Sequence, residues 1–97
     1  MTTIPPPGGV LAMKIGVIHE VNDPETFTER GTAMLEEAPE GVRNLQAYPS
    51  QDLTKCTCLW DAESVEQLSE FIDPSLGESS SQEYFPVMEE QAVGLPE

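Results

Sequence analysis

The sequence has few basic residues, few cysteines and no long apolar segment. Its 97 residues include 18 Asp or Glu but only 4 Lys or Arg, which gives a formal net charge of -14. Such a chain cannot neutralise a phosphate backbone or an anionic lipid surface, so we expect neither nucleic acid nor a membrane as partner. No apolar run approaches the ~20 residues that cross a bilayer. Two cysteines are too few for a disulfide scaffold.

Motifs of cofactor-based and nucleophile-based chemistry are also missing. The sequence contains no Gly-x-Gly-x-x-Gly or phosphate loop and no serine nucleophile elbow. His19 is the single histidine, so a pair of histidines at zinc-binding spacing is excluded. We therefore expect no cofactor, and neither nucleotide chemistry nor a hydrolase triad.

The two ends of the chain differ in composition from its middle. Residues 1–12 are uncharged and rich in Pro and Gly, which predicts a disordered arm. They lack the basic start and apolar stretch of a secretory signal, so we expect a cytoplasmic protein with reduced thiols. Residues 13–89 are expected to form the folded domain and residues 90–97 a tail. If translation starts at Met13, the arm is dispensable. The intact mass of the natively expressed protein would decide between the two starts.

The acidic residues are unevenly distributed. No Lys or Arg follows Lys55, whereas acidic residues continue to the end of the chain. Repulsion within this half must be offset, and a solvated acidic surface is the simplest interpretation. A cationic partner and a saline habitat are the alternatives.

Hydrophobic periodicity and capping residues predict two successive β-α-β halves. Asp23 followed by Pro24 is typical of a helix start, and Ser64 with Gln67 forms a capping box. The Asp73-Pro74 pair is expected to end the second helix. The predicted elements are strands at 14–21, 42–48, 55–60 and 83–88 and helices at 24–37 and 65–73.

This order predicts an α+β, ferredoxin-like β-α-β-β-α-β fold, with two helices on one face of a four-stranded antiparallel sheet. The first strand is nearly apolar on both faces, which favours a central position. Pro86 lacks a backbone donor, so the last strand is expected at an edge. The helices leave one sheet face uncovered, and a second copy of the chain is the simplest cover. We therefore expect a homodimer with its sheets packed face to face.

Two segments carry a resemblance to the dimeric α/β-barrel superfamily of small ferredoxin-like proteins. These are the strand at 17–21 (VIHEV) leading to a Pro-started helix, and the strand-to-helix passage at 58–65 (CLWDAESV). The passage is similar to small uncharacterised bacterial proteins that include a nickel-binding ferredoxin-like family. The superfamily includes cofactor-free monooxygenases, muconolactone isomerase-like enzymes and haem-handling proteins. The resemblance implies the fold and the dimer more directly than an activity.

His19 is the candidate catalytic residue, because its side chain titrates near neutral pH. Neighbouring first and third strands would bring it close to Cys56 or Cys58, and this trio is the candidate for a soft metal. Alternate residues on a strand lie about 6.6 Å apart, which is too far for both thiols to bind one ion without a bend. The remaining metal hypothesis is a site formed by two copies of His19 that meet across a dimer.

Aromatic residues near the predicted strand ends and helix faces are the candidate ligand-binding group. Buried Trp and Tyr side chains need a hydrogen-bond partner, and aromatic walls suit flat ligands. This group comprises Tyr48, Trp60, Tyr84, Phe27 and Phe71. The leading hypothesis is a small cytoplasmic homodimer that binds a small apolar or aromatic molecule. The alternatives are a cofactor-free monooxygenase or isomerase with His19 as base, and a nickel-type metal-binding protein using His19 across the dimer.

Overall fold

Four strands and two helices follow one another in the predicted order. The computed structural model describes residues 12–96, so the predicted arm lies outside the described residues apart from Ala12. The elements are β1 (Met13–Val21), α1 (Pro24–Glu36), β2 (Arg43–Pro49), β3 (Lys55–Ala62), α2 (Val65–Leu76), a 3-10 turn (Gly77–Ser79) and β4 (Ser80–Pro86).

All neighbouring strands of the sheet are antiparallel, in the order β2-β3-β1-β4. Together with the two helices this is the ferredoxin-like β-α-β-β-α-β arrangement, so the predicted fold class is confirmed. The predicted central position of β1 and edge position of β4 are also confirmed. Register places His19 of β1 opposite Cys56 of β3 and Gln82 of β4.

Both helices begin at the caps that the sequence predicts. The Asp23 carboxylate accepts a hydrogen bond from the backbone N–H of Thr26 at 3.2 Å, and Pro24 occupies the first helical turn. Ser64 Oγ accepts from the backbone N–H of Gln67 at 3.0 Å. These bonds satisfy donors that the first turn of a helix leaves without partners.

The end of α2 and the start of β4 differ from the prediction. Helix α2 continues through Pro74 to Leu76. A proline in the last turn removes only one helical hydrogen bond, so the helix can continue past it. Gly77 ends the helix instead, with a φ of 58° that favours glycine. Strand β4 begins at Ser80, three residues before the predicted start at Glu83, because its polar residues pair with β1 through Val21.

The hydrophobic core lies between the sheet and α2. Three α2 residues, Leu68, Ile72 and Leu76, are fully buried, as are Ile15 of β1 and Trp60 of β3. Helix α1 packs chiefly against α2 and the 3-10 turn rather than closely on the sheet. This arrangement leaves room between α1 and the strands.

The sheet face away from the helices, which we call the outer face, carries exposed aromatic residues. Gly16 lies opposite Phe85 on this face, and a Cβ added to Gly16 would overlap the Phe85 ring. Phe85 is 43% exposed and Tyr48 is 60% exposed. Within residues 12–96, no helix has both the length and the apolar character needed to cross a membrane.

Candidate functional site

A cavity of about 340 Å³ lies between α1 and the helix-facing side of β2 and β3. Its walls are mostly apolar, and three of its lining residues, Leu35, Ala47 and Pro49, are exposed at the rim. The cavity therefore opens to solvent between α1 and β2. Its inner wall comprises His19, Phe27, Met34, Cys56, Cys58 and Trp60.

The antiparallel register determines which side chains meet at this wall. Cys56 lies opposite His19 on one side and Pro49 on the other. Cys58 lies opposite Ala47, and its other neighbour is the core residue Val17. Because side chains alternate along a strand, the Cys56 row and the Cys58 row both face the helices.

His19 is 1% exposed and is held by a chain of hydrogen bonds. Its Nδ1 lies 3.1 Å from Gln82 Oε1, while Gln82 Nε2 donates to Asp73 Oδ1 at 2.8 Å. Since the Gln82 amide nitrogen faces the Asp73 carboxylate, its oxygen faces the imidazole and must accept a hydrogen bond from it. This network assigns the proton of neutral His19 to Nδ1 and leaves a lone pair on Nε2.

The environment of His19 favours its neutral form. Burial lowers the pKa of the imidazole, because a charged ring would lose its hydration. The Gln82 hydrogen bond and the nearby Asp73 carboxylate oppose this effect but are weaker. The ring also lies edge-on to Phe27, with ring centroids 5.4 Å apart. At neutral pH His19 can therefore accept a proton or a hydrogen bond through Nε2.

The thiols of Cys56 and Cys58 are free, and their Sγ atoms lie 3.8 Å apart. The hydrogen bond between them lowers the pKa of Cys56 to about 7, because the Cys58 thiol stabilises the Cys56 thiolate. The same hydrogen bond, burial and the neighbouring thiolate raise the pKa of Cys58. The pair therefore loses one proton near neutral pH and resists losing the second.

Trp60 lines the cavity and is fully buried. Within residues 12–96, its indole Nε1–H makes no hydrogen bond of ordinary geometry, although it lies near enough to the Cys58 sulfur to stabilise the Cys58 thiolate. A buried donor without an acceptor costs about 1–3 kcal/mol. An acceptor atom of a ligand would gain a hydrogen bond from this N–H if neighbouring side chains move, because the nitrogen has almost no exposed surface in this structure.

A β-bulge shapes the wall next to Trp60. Asn44 lies opposite Trp60 and Gln46 lies opposite Leu59, so Leu45 is an extra residue between them. Asn44 Nδ2 donates to the backbone oxygens of Gln46 at 3.2 Å and of Leu59 at 3.4 Å. The bulge thus brings a polar side chain to the cavity lining.

The structure distributes the sequence-predicted site residues over four places. His19, Phe27 and Trp60 line the cavity together. Phe71 packs edge-on against Trp60, with ring centroids 6.1 Å apart. Tyr84 donates a hydrogen bond to Asp73 Oδ1 at 2.6 Å, and Tyr48 lies on the outer face opposite Thr57.

Two residues of the site, Gln82 and Asp73, carry no clear signal in the sequence. Gln82 lies just before the predicted start of the last strand at Glu83, so the sequence does not indicate its pairing with His19. Asp73 resembles part of a helix stop, because Pro74 comes directly after it. The helical continuation through Leu76 is what places the Asp73 carboxylate beside β4.

The three soft-metal candidates, His19, Cys56 and Cys58, line the same cavity. Even so, among residues 12–96 no group of three or more His, Cys, Asp or Glu side chains is placed to hold a metal ion. A resident metal with three protein ligands therefore has no support from the geometry of one chain.

Comparison with known proteins identifies no family for this chain. It matches no protein-family model, and the curated proteins include none significantly similar to it. Its function must accordingly be inferred from the geometry and chemistry of the cavity.

Proposed function

We propose that this protein binds a small, largely apolar molecule that carries a hydrogen-bond acceptor, in the cavity between α1 and the sheet. The observation that carries the proposal is the buried, unpartnered indole N–H of Trp60 on an otherwise apolar wall. Apolar walls supply most of the binding free energy for such ligands, while one or two polar groups set their orientation.

The size and shape of the cavity favour a flat ligand. A volume of about 340 Å³ is at the lower end of ligand pockets, which begin near ~300 Å³. The rings of Phe27, Trp60 and His19 offer surfaces for stacked or edge-on contact. The acceptor atom is expected to point toward Trp60, away from the exposed rim.

Two matched probes test this proposal: 2-acetylnaphthalene, which has a carbonyl acceptor, and 2-ethylnaphthalene, which does not. Trp60 is the single tryptophan, so its fluorescence reports on binding directly. We expect the ketone to bind about 10-fold more tightly, the ratio that one good hydrogen bond provides. Calorimetry on Trp60→Phe should show this preference lost, while Tyr48→Phe on the outer face should retain it. Equal affinities for the two probes in the wild type would contradict the proposal.

Proton transfer is a second candidate function, favoured by the lone pair on Nε2 of a neutral His19 that lines the cavity. In this function His19 acts as the base of a cofactor-free isomerase or monooxygenase. Exchange of the methyl protons of bound 2-acetylnaphthalene with D2O is the test. Wild type should accelerate the exchange and His19→Gln should not. Equal exchange rates in the two proteins would rule out this role for His19.

Self-association through the outer face is also part of the proposal. Exposed Tyr48 and Phe85, together with half-buried Ile18, supply an apolar surface there. His19 faces the helices, so such a dimer would not bring two copies of it together, and the metal alternative gains no support. Native mass spectrometry at micromolar concentration should show the dimer, and Phe85→Glu should shift it to monomer. A wild-type monomer would contradict the dimer.

A reducing cytoplasm is the compartment that fits the two free thiols.

A further inference from the structure

The pair of cysteines on the cavity wall has a geometry of its own. Cys56 and Cys58 occupy alternate positions of β3, where Cα atoms are about 6.6 Å apart. Their side chains lean toward one another, so that the two Sγ atoms are separated by 3.8 Å. Both sulfurs belong to residues that line the cavity and that remain free thiols.

We propose that Cys56 and Cys58 form a dithiol site that binds a soft, thiophilic atom through both sulfurs at the cavity wall. Two sulfurs that each lie about 2.3 Å from one centre are roughly 3.4–4.6 Å apart as the angle at the centre opens from about 95° to 180°. The observed separation of 3.8 Å lies inside this range, so small side-chain movements bring both sulfurs onto a pyramidal or a linear centre. A disulfide, in contrast, would require the sulfurs to close to about 2.05 Å.

The surroundings of the pair indicate which soft centres fit. Zinc in structural sites takes four protein ligands, and this chain brings two sulfurs to the wall without a third His, Cys, Asp or Glu placed to join them within residues 12–96. A centre that needs two protein sulfurs is favoured instead. Cuprous ion and a trivalent arsenic atom carrying one organic group share this chemistry. The apolar space beside Phe27 and Met34 accommodates an organic group on the bound atom.

The binding step balances without an oxidant or reductant. With an arsenic(III) oxide, two As–S bonds form, the As–O bonds break, and the oxygen leaves as water with both thiol protons. With cuprous ion, two Cu–S bonds form and both protons pass to solvent. Each thiol proton leaves as the bond to its sulfur forms.

The test uses phenylarsine oxide and cuprous ion as separate probes on the full chain. Phenylarsine oxide should give a one-to-one adduct by intact mass that survives excess glutathione and is released by dithiothreitol. Cuprous ion should be withdrawn competitively from bathocuproine disulfonate. An adduct with one probe alone identifies the kind of centre and supports the shared two-sulfur chemistry.

Single-cysteine variants decide whether both sulfurs are required. Cys56→Ser and Cys58→Ser should each weaken binding of the effective probe by about 100-fold or more, the advantage that a second tethered group provides. Cys56→Ala and Cys58→Ala, checked by circular dichroism, replace any Ser variant that fails to fold. Retention of wild-type affinity by either single variant overturns the proposal, and so does the absence of binding by both probes in the wild type.

This inference is independent of the proposed apolar ligand, because the sulfurs rather than Trp60 make the bonds. Trp60→Phe should therefore lose the preference for the ketone probe and still form the arsenical adduct. Failure of one proposal thus leaves a result distinct from failure of the other.

Discussion

The two helices cover the same sheet face in different ways. Helix α2 buries Leu68, Ile72 and Leu76 completely, whereas α1 buries only Phe27 and Met34 among the described residues and leaves Leu35 49% exposed. The α1 half of the molecule encloses the candidate site, while the α2 half forms the closely packed core. The difference indicates that α2 buries more apolar side chains than α1, whereas α1 borders the open cavity.

The polar contacts of the two halves differ in the same direction. On the α2 side, Asp73 links the helix to Gln82 and Tyr84 of β4, and Gln82 continues to His19. On the α1 side the lining includes an indole N–H that lacks a partner within residues 12–96. Satisfied polar networks make a structure rigid, and unsatisfied groups mark places for ligands.

The largest expected effect comes from truncating a core residue in each half. Leu68→Ala on α2 should lower the free energy of unfolding by about 2–5 kcal/mol, because the surroundings of a fully buried leucine collapse only partly. Met34→Ala should cost less, about 1–2 kcal/mol, since its side chain already borders empty space. Urea denaturation measures both losses. Equal losses would show that α1 contributes as much as α2.

Breaking the Asp73 contacts is expected to have the next largest effect. Asp73→Ala leaves the Gln82 amide and the Tyr84 hydroxyl without their acceptor, which should cost about 1–2 kcal/mol at this partly exposed position. Glu70→Ala, an exposed acidic residue on the same helix, is the matched control and should stay within about 0.5 kcal/mol. Similar urea midpoints for the two variants would show that the network does not stabilise the α2 half.

The pH dependence of stability tests the buried position of His19. Burial lowers its pKa in the folded chain below the ordinary 6.5. As the pH falls, the unfolded chain therefore binds a proton at His19 before the folded chain does. The contribution of neutral His19 to the free energy of unfolding is complete above pH 6.5 and is lost as the pH falls toward the lower pKa of the folded chain. The loss is at most about 1.4 kcal/mol per pH unit.

His19→Gln is the reference for this measurement, because glutamine does not titrate while carboxylate effects remain in both proteins. The difference in unfolding free energy between wild type and variant should be constant above pH 7 and should shrink below pH 6.5. Parallel stability curves from pH 5 to pH 8 would contradict the predicted direction of the pKa shift.

The smallest expected effect is a gain. A Cβ added at Gly31 of α1 meets no atom within 4 Å, so Gly31→Ala should stabilise the helix by about 0.5–1 kcal/mol. The control is Gly77→Ala, which should destabilise the protein because of the positive φ and because the Arg30 guanidinium lies 3.1 Å from the added carbon. Urea denaturation measures both changes. A loss of stability in Gly31→Ala would mean that α1 packs closely around position 31.

The elements with strong local signals could be predicted from the sequence. The caps at Asp23 and Ser64 and the nearly continuous apolar run of β1 each depend on neighbours along the chain, and the structure confirms all three elements. The edge position of β4 in the sheet was also predictable, because Pro86 lacks the backbone donor that a central strand needs. The proximity of His19 and Cys56 followed from the predicted topology and is confirmed by their register.

Features that depend on distant partners could not be predicted in the same way. The polar residues at 80 and 82 have no strand-like pattern of hydrophobicity, and they form a strand because β1 pairs with them. The passage of α2 through Pro74 depends on packing of Leu76, which local propensity does not include. The lean of two cysteine side chains toward one another is a rotamer choice that spacing alone does not specify.

The bulge in β2 has a consequence for how the length of this chain can change during evolution. Leu45 stands outside the pairing, with Asn44 opposite Trp60 and Gln46 opposite Leu59. Deleting Leu45 therefore closes a regular ladder and leaves every other β2 side chain on its present face. Deleting Ala47 instead would move Tyr48 into its row and turn that ring into the cavity. Position 45 is thus a site where a one-residue deletion preserves the cavity, whereas a deletion two residues later would fill it.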